Sequence, residues 1–302
     1  MAISLSRFHQ CFFCCEISWA FSVHQSTTSN HFAHTASSNL LHGSEADDAI
    51  RGVNDLHAKA LCSGRTKLAP MLKLLAFNAS PRKANGNTDV LLDKFIEGAR
   101  EAGAEAAKHY VVDLDIKGCT SCFSCWWETP GKCAHRDDMD WILPSISESD
   151  ILLFGTPIYS RNITHYLQRL IERTFPFALP EMYTKDGTTR HPRRPRKTPR
   201  VVLVASCGFP DLVNFDQVRG LFPTALHILL PASFMLFEDG GREHLSDFLD
   251  AVRLAGQIMA SGRDVPELLR KRLVVEYCEE MKKLIVEKYN AYSASRTEQA
   301  HG

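Results

Sequence analysis

From residue 71 onward the chain alternates short apolar runs with amphipathic stretches. Residues 72–77 form an apolar run that predicts a strand buried on both faces. Apolar residues at 90, 91, 92, 95, 96 and 99 follow helical spacing, which predicts a helix over 88–102 with Gly103 as its stop. The same reading predicts strands at 108–114, 151–155, 201–206 and 233–237. It predicts helices at 138–146, 163–173, around 215–230, and at 243–259 and 266–289. Asp137 or Asp138 is expected to cap the helix at 138–146. Five short strands separated by helices imply an α/β fold: a three-layer sandwich whose five-stranded parallel sheet is covered on both faces.

Residues 1–70 lack this pattern. They are rich in Ser, His, Thr and Asn and show no sustained period. The partly apolar stretch at 8–23 is interrupted by His9, Gln10 and Glu16, which makes a poor signal-peptide core. Residues 1–44 are Ser-rich and nearly free of acid, as in a transit peptide, but hold one arginine, Arg7. A disordered extension is the plainer reading of 1–70, and organellar targeting the alternative. The folded domain is expected over 71–290, opening at Met71, with 291–302 as a tail.

Charge and cysteine usage narrow the setting. The chain carries 35 Lys and Arg against 35 Asp and Glu, a net charge of zero. That argues against bulk attraction to nucleic acid or an anionic membrane. No apolar run approaches the roughly 20 residues of a membrane-spanning helix. Four of the ten cysteines are bunched between 119 and 133, a pattern that suits a reducing, cytoplasmic compartment and a metal or redox role better than a disulfide framework.

In open α/β sheets ligands bind beyond the C-terminal ends of the strands, so the residues that follow each strand carry the chemistry. The first such loop, 78–88, reads Asn-Ala-Ser-Pro-Arg-Lys-Ala-Asn-Gly-Asn-Thr and ends at a helix N-terminus, a natural place for a phosphate. Ser80, Asn87 and Thr88 can donate hydrogen bonds there, and Arg82 adds charge. The loop is neither GxGxxG nor GxxxxGK[ST], which removes the dinucleotide-fingerprint and ATPase readings; a polar turn with an N-cap is the bland alternative. After the third strand, Gly155 and Pro157 shape a rigid loop in which Tyr159 offers a flat apolar face. After the fourth come Ser206, Cys207, Gly208 and Phe209.

Cys119, Cys122, Cys125 and Cys133 have the spacing C-x2-C-x2-C-x7-C. Four close thiolates suit an iron–sulfur cluster. Zinc is the rival, although its motifs usually separate two C-x2-C pairs more widely, and a loop without metal is the third reading. The scatter of Cys11, Cys14 and Cys15 with His24, His31 and His34 fits no usual metal site. The basic stretch 185–200, with Arg193, Arg194 and Arg196, reads as a solvated loop or, in its functional version, an anion-attracting rim. Trp126 and Trp127 fit either ordinary packing or a cover for a bound ring.

Four segments together resemble one family. SPRKANGNT is similar to the SxRxxxNT phosphate loop of the flavodoxin-like NAD(P)H-dependent FMN reductases, and GTPIYSRN to their second flavin loop. CTSCFSCWWETPGKC followed by DDM resembles the compact cysteine insert of the iron-sulfur flavoproteins, and LQRLIER their K-x-F-x-D-R helix. The likeness covers roughly 71–240. It implies that Ser80, Arg82, Asn87 and Thr88 hold an FMN phosphate, that Pro157, Ile158, Tyr159 and Asn162 line the flavin ring, and that Ser206, Cys207 and Gly208 complete the third side. It also implies NAD(P)H as donor, a small-molecule electron acceptor, a homo-oligomer, and a 4Fe-4S cluster on the four cysteines. The chain departs from the family pattern at Gln168, where Lys is frequent, at Glu172 for Asp, and at Asn78 for Gly.

Two function classes follow, with a third behind them. An FMN-dependent oxidoreductase would pass electrons from reduced nicotinamide to a quinone, nitro compound, flavin or iron–sulfur cluster. A non-catalytic flavodoxin-like carrier would dock on protein partners, but such carriers tend to be short and acidic. A flavin-free scaffold is the last alternative. The final predicted helix has an apolar face at Leu269, Leu273, Tyr277, Met281, Leu284 and Ile285, for its own sheet or a second subunit.

Overall fold

The computed structural model describes residues 71–194, 197–238 and 240–301; the expectations for 1–70 lie outside them. Strand β1 (Lys73–Asn78) leads through a short turn to helix α1 (Asn87–Glu101), then β2 (Glu105–Tyr110). After the cysteine loop, with its one-turn helix α2 (Ser124–Trp127), come α3 (Met139–Glu148), β3 (Ile151–Pro157) and α4 (His165–Glu172). A small hairpin of β4 (Tyr183–Lys185) and β5 (Thr188–Arg190) precedes β6 (Arg200–Ser206), α5 (Asp216–Leu221) and β7 (Leu226–Leu230). Four helices close the chain: α6 (Gly241–His244), α7 (Ser246–Ala260), α8 (Glu267–Arg272) and α9 (Glu279–His301).

The main sheet has five strands in the order β2-β1-β3-β6-β7, every neighbouring pair parallel. Alternate residues of each strand face opposite layers. Leu74, Ala76, Ile151, Leu153, Val202 and Val204 pack against α1 and α7. Leu75, Phe77, Leu152, Phe154, Leu203 and Ala205 pack against α3, α4 and α5. This is the three-layer sandwich expected. Helices α1 and α7 touch backbone to backbone: a Cβ at Gly98 would stand 1.8 Å from the Arg253 carbonyl oxygen, and one at Gly256 would stand 2.1 Å from that of Phe95. No helix among the described residues is long and apolar enough to cross a membrane.

Several elements differ from the sequence expectation. The second strand is Glu105–Tyr110, and the apolar pair at 111–112 opens a 3-10 turn instead. As an edge strand it is only half-buried and lacks the apolar run that marks the central strands. The fifth strand is Leu226–Leu230, pairing Val202 with Leu226 through Ser206 with Leu230. The expected strand at 233–237 is a 3-10 turn entered through Ala232 at φ 47°. The long C-terminal helix is broken. Between α8 and α9 the chain runs beside β7, where the Leu229 amide donates to the Leu273 carbonyl (2.9 Å) and the Val275 amide to that of Leu229 (3.1 Å). The β-branched pair at 274–275 suits that extended stretch. Leu269 and Leu273 enter the main core, Tyr277 and Ile285 form a small separate cluster, and Leu284 is exposed. Helix α9 continues through 291–301, where a tail was expected.

Candidate functional site

The parallel register brings Asn78, Pro157, Ser206 and Leu230 to one edge of the sheet. The first loop is built on Asn78. Its amide nitrogen donates to Asp89 (2.8 Å) and its oxygen accepts from the Ser80 amide (2.9 Å). Ser80 in turn accepts from the Arg82 amide (3.3 Å). Asp89 is neutralised by Lys108 (2.8 Å) from the neighbouring strand. The turn is tight: a Cβ at Gly86 would stand 2.8 Å from Ser80 Oγ. Helix α1 then begins at Asn87, where helix geometry leaves the first N–H groups without intrahelical acceptors.

Two contacts tie this helix to the other loops. Thr88 Oγ1 lies 3.0 Å from Ser206 Oγ, and the Asn87 amide donates to Ser233 Oγ (2.8 Å). The Asn87 side-chain oxygen Oδ1 is buried with no hydrogen-bond partner. Ser80 and Thr88 are buried, Asn87 is half-buried and Arg82 is exposed.

In the second loop the Ile158 amide donates to the Ser206 carbonyl (2.8 Å), joining the second and third loops directly. Tyr159 and Asn162 exchange backbone hydrogen bonds (3.0 and 2.9 Å) across Ser160 and Arg161, which both have positive φ (50° and 62°). That closed turn holds the Tyr159 ring out at the edge, half exposed, and the Asn162 side chain accepts from the Ile163 amide (2.8 Å). Ile158 and Cys207 lie in the core beneath the edge, and burial pushes the Cys207 thiol up. These two therefore present mainly backbone. The Cys207 carbonyl accepts from Ser233 (2.8 Å), while Gly208 leads to an exposed Phe209. The structure thus brings together the three loops chosen from the sequence and adds Ser233 to them.

The four cysteines share one pocket, lined also by His135, Arg173 and Phe175. Cys119 and Cys122 are exposed, Cys133 is half-buried and Cys125 is buried. Hydrogen bonds from Ser124 lower the Cys122 thiol, whereas burial, reinforced by the other three cysteines, pushes Cys125 up to about 11. Ser121 and Phe123 take left-handed φ (52° and 57°), so the loop turns sharply between successive cysteines. Among the described residues no three His, Cys, Asp or Glu side chains converge closely enough to hold one ion. A zinc site would need all four sulfurs about 2.3 Å from a single centre. A multi-iron cluster instead spreads its thiolates over separate irons.

The neck of the cysteine loop is closed by an ion pair that sequence reasoning missed. Arg173 donates to both oxygens of Asp137 (2.6 and 3.0 Å) and to the Lys117 carbonyl (2.7 Å). The two side chains are 1% and 0% exposed. Asp137 also accepts from the Lys117 and Met139 amides (3.0 and 3.1 Å), so its capping role is one part of a larger junction. The available signal was the position of Arg173 three residues after Leu170, continuing the buried stripe just past the end of α4. Of the basic stretch at 185–200, Arg196 lies outside the described residues, and the described part is no free loop either. Its β5 strand leads to a buried His191 whose ring is 4.8 Å from Trp126, and the Arg194 side chain lies against Gly131. Trp126 is buried and stacks on Phe175 (4.8 Å), while Trp127 is exposed.

A parallel sheet with its first strand second in order, and with ligand-type loops at the carboxyl edge beside that switch point, defines a flavodoxin-like α/β domain. Residues 72–208 match the profile of the NADPH-dependent FMN reductase family. Over 103 residues the chain is 37% identical to an iron-sulfur flavoprotein of Archaeoglobus fulgidus, a match covering 34% of this chain and 49% of that protein. It is 31% identical over 108 residues to an iron-sulfur flavoprotein of Methanocaldococcus jannaschii, covering 36% of this chain and 54% of that one. The chain thus spans about half the length of the curated relatives it matches. Among solved structures, an NAD(P)H:quinone oxidoreductase from Methanothermobacter marburgensis superposes with a TM-score of 0.46 at 15% identity, covering 63% of this chain and 97% of that one.

Proposed function

We propose that this chain is an FMN-dependent oxidoreductase that draws electrons from NADH or NADPH and delivers them to a quinone, a nitro compound, free flavin or an iron–sulfur cluster. The carrying observation is the joining of three loops at one sheet edge, with Ser206 bonded to both of the others.

The residues fit a flavin phosphate. The Asn87 amide can be turned over, because its oxygen and nitrogen have the same shape. Ser233 would then donate to the oxygen, and a buried NH2 would be free for an anion. The Gly86 turn has no room for a side chain beside Ser80, so it offers backbone donors at close range. Arg82 is exposed at its rim and supplies the charge. Pro157, Tyr159 and Asn162 flank the place for the ring, and Ser206 to Gly208 close the third side. When bound, FMN takes hydride as an electron pair and releases electrons singly. The protein's part is to orient the ring and exclude water.

Cys119, Cys122, Cys125 and Cys133 are proposed to hold a 4Fe-4S cluster. The pocket that all four line supports it, as does the preference of such clusters for four thiolate ligands. The test is a visible spectrum of anaerobically purified protein with analysis of iron and acid-labile sulfide. A flavin spectrum bleached by NADPH or NADH is expected, together with iron and sulfide. Protein that refuses added FMN overturns the enzyme reading. Full flavin without iron or sulfide overturns only the cluster.

A further inference from the structure

Arginine can offer five N–H donors. In Arg173, three of them go to Asp137 and to the Lys117 carbonyl. Its Nε is buried and has no partner. The guanidinium lines the cysteine pocket together with Cys133. Asp137 and Lys117 stand at the two ends of the cysteine loop, so one side chain spans its neck and borders its cavity.

We infer that Arg173 is a positioning residue that holds the cysteine loop closed through Asp137 and sets its buried positive charge against the cysteine pocket, easing reduction of a cluster held there. The inference rests on the iron–sulfur reading above. Hydrogen bonds to the sulfurs and the local net charge set a cluster's potential. Reduction adds negative charge, which a buried cation favours and a buried carboxylate opposes. Arg173 and Asp137 therefore act with opposite signs on the same equilibrium, although both hold the same loop.

That opposition gives the test. The full chain is reconstituted anaerobically with iron and sulfide, and the cluster is titrated by spectroelectrochemistry. Arg173→Gln is expected to lower the reduction equilibrium about tenfold, about 59 mV for one electron. Asp137→Asn is expected to move it the other way, and Arg173→Lys to fall between Gln and wild type. Variants that all shift in one direction, or not at all, overturn the inference and reduce Arg173 to a structural staple. If Arg173→Gln fails to fold, Asp137→Asn decides: a rise supports the inference, while no change or a fall overturns it. A wild-type chain that takes up neither iron nor sulfide overturns the cluster reading and this inference together. A loaded wild type with unresponsive variants overturns the inference alone.

Discussion

Thr88 and Ser206 stand 3.0 Å apart through their hydroxyls, although 118 residues separate them. The contact joins the start of α1 to the end of β6 and is buried. Replacing one partner leaves the other hydroxyl unsatisfied, which costs about 1–3 kcal/mol. Thr88→Val should lower stability in urea by that amount. Adding Ser206→Ala should cost little more, and a fully additive double mutant would show that the hydroxyls do not interact.

Arg82 is the exposed cation at the mouth of the first loop. If it contacts a phosphate, Arg82→Ala should weaken FMN by about 1.5–3 kcal/mol, the value of a charge-assisted hydrogen bond. Quenching of flavin fluorescence on titration reads this out. Riboflavin, which has no phosphate, should bind both proteins equally.

Gly98 has no space for a side chain, since a methyl there would meet the Arg253 carbonyl. Gly98→Ala must push α1 from α7, an overpacking that costs about 1–3 kcal/mol. A thermal midpoint equal to wild type would mean the two helices can separate freely.

Asp137 links folding to acid. Burial alone would raise its carboxyl, but the bonds from Arg173 and from the Lys117 and Met139 amides outweigh this and hold it below the usual value. A depressed carboxyl stabilises the fold fully above its unfolded value of 3.8, and that stability is lost as pH falls through the lower folded value. Asp137→Asn should therefore cost about 3–5 kcal/mol near neutrality, the penalty for breaking a buried pair. It should also flatten the acid limb of a plot of stability against pH. An acid limb unchanged in the variant would assign it to other carboxylates.

The cysteines should differ in reactivity when metal-free. Cys122 is exposed and its thiol is lowered by Ser124, whereas Cys125 is buried and pushed up to about 11. The thiolate is the nucleophile, so iodoacetamide near neutral pH should mark Cys122 well before Cys125. Peptide mass spectrometry reads the order, and equal rates would mean the loop opens faster than it reacts.

The three central strands were legible because burial on both faces leaves a short apolar run, although the run at 233–237 imitates it and forms a 3-10 turn. The edge strands were not. Lys108 and His109 give β2 a polar cast, and the apolar run of β7 follows α5 so closely that the two read as one long helix. The loops at the carboxyl edge could be chosen from the sequence because their residues are small, polar or aromatic and follow recognisable strands. Asn78, Asp89 and Lys108 were missed as a set, since their bonds join residues from two strands and a helix. Arg173 and Asp137 were missed for the same reason, being 36 positions apart.

The stretch beside β7 has a consequence for assembly. With Leu273 and Val275 occupying the backbone groups of Leu229, that margin offers little for a neighbour to extend. The opposite margin, β2, carries Glu105, Lys108 and His109, and charged groups on an edge strand discourage ribbon-to-ribbon joining. Copies of this molecule would therefore meet through their helical flanks and loop tips rather than by continuing one another's sheets.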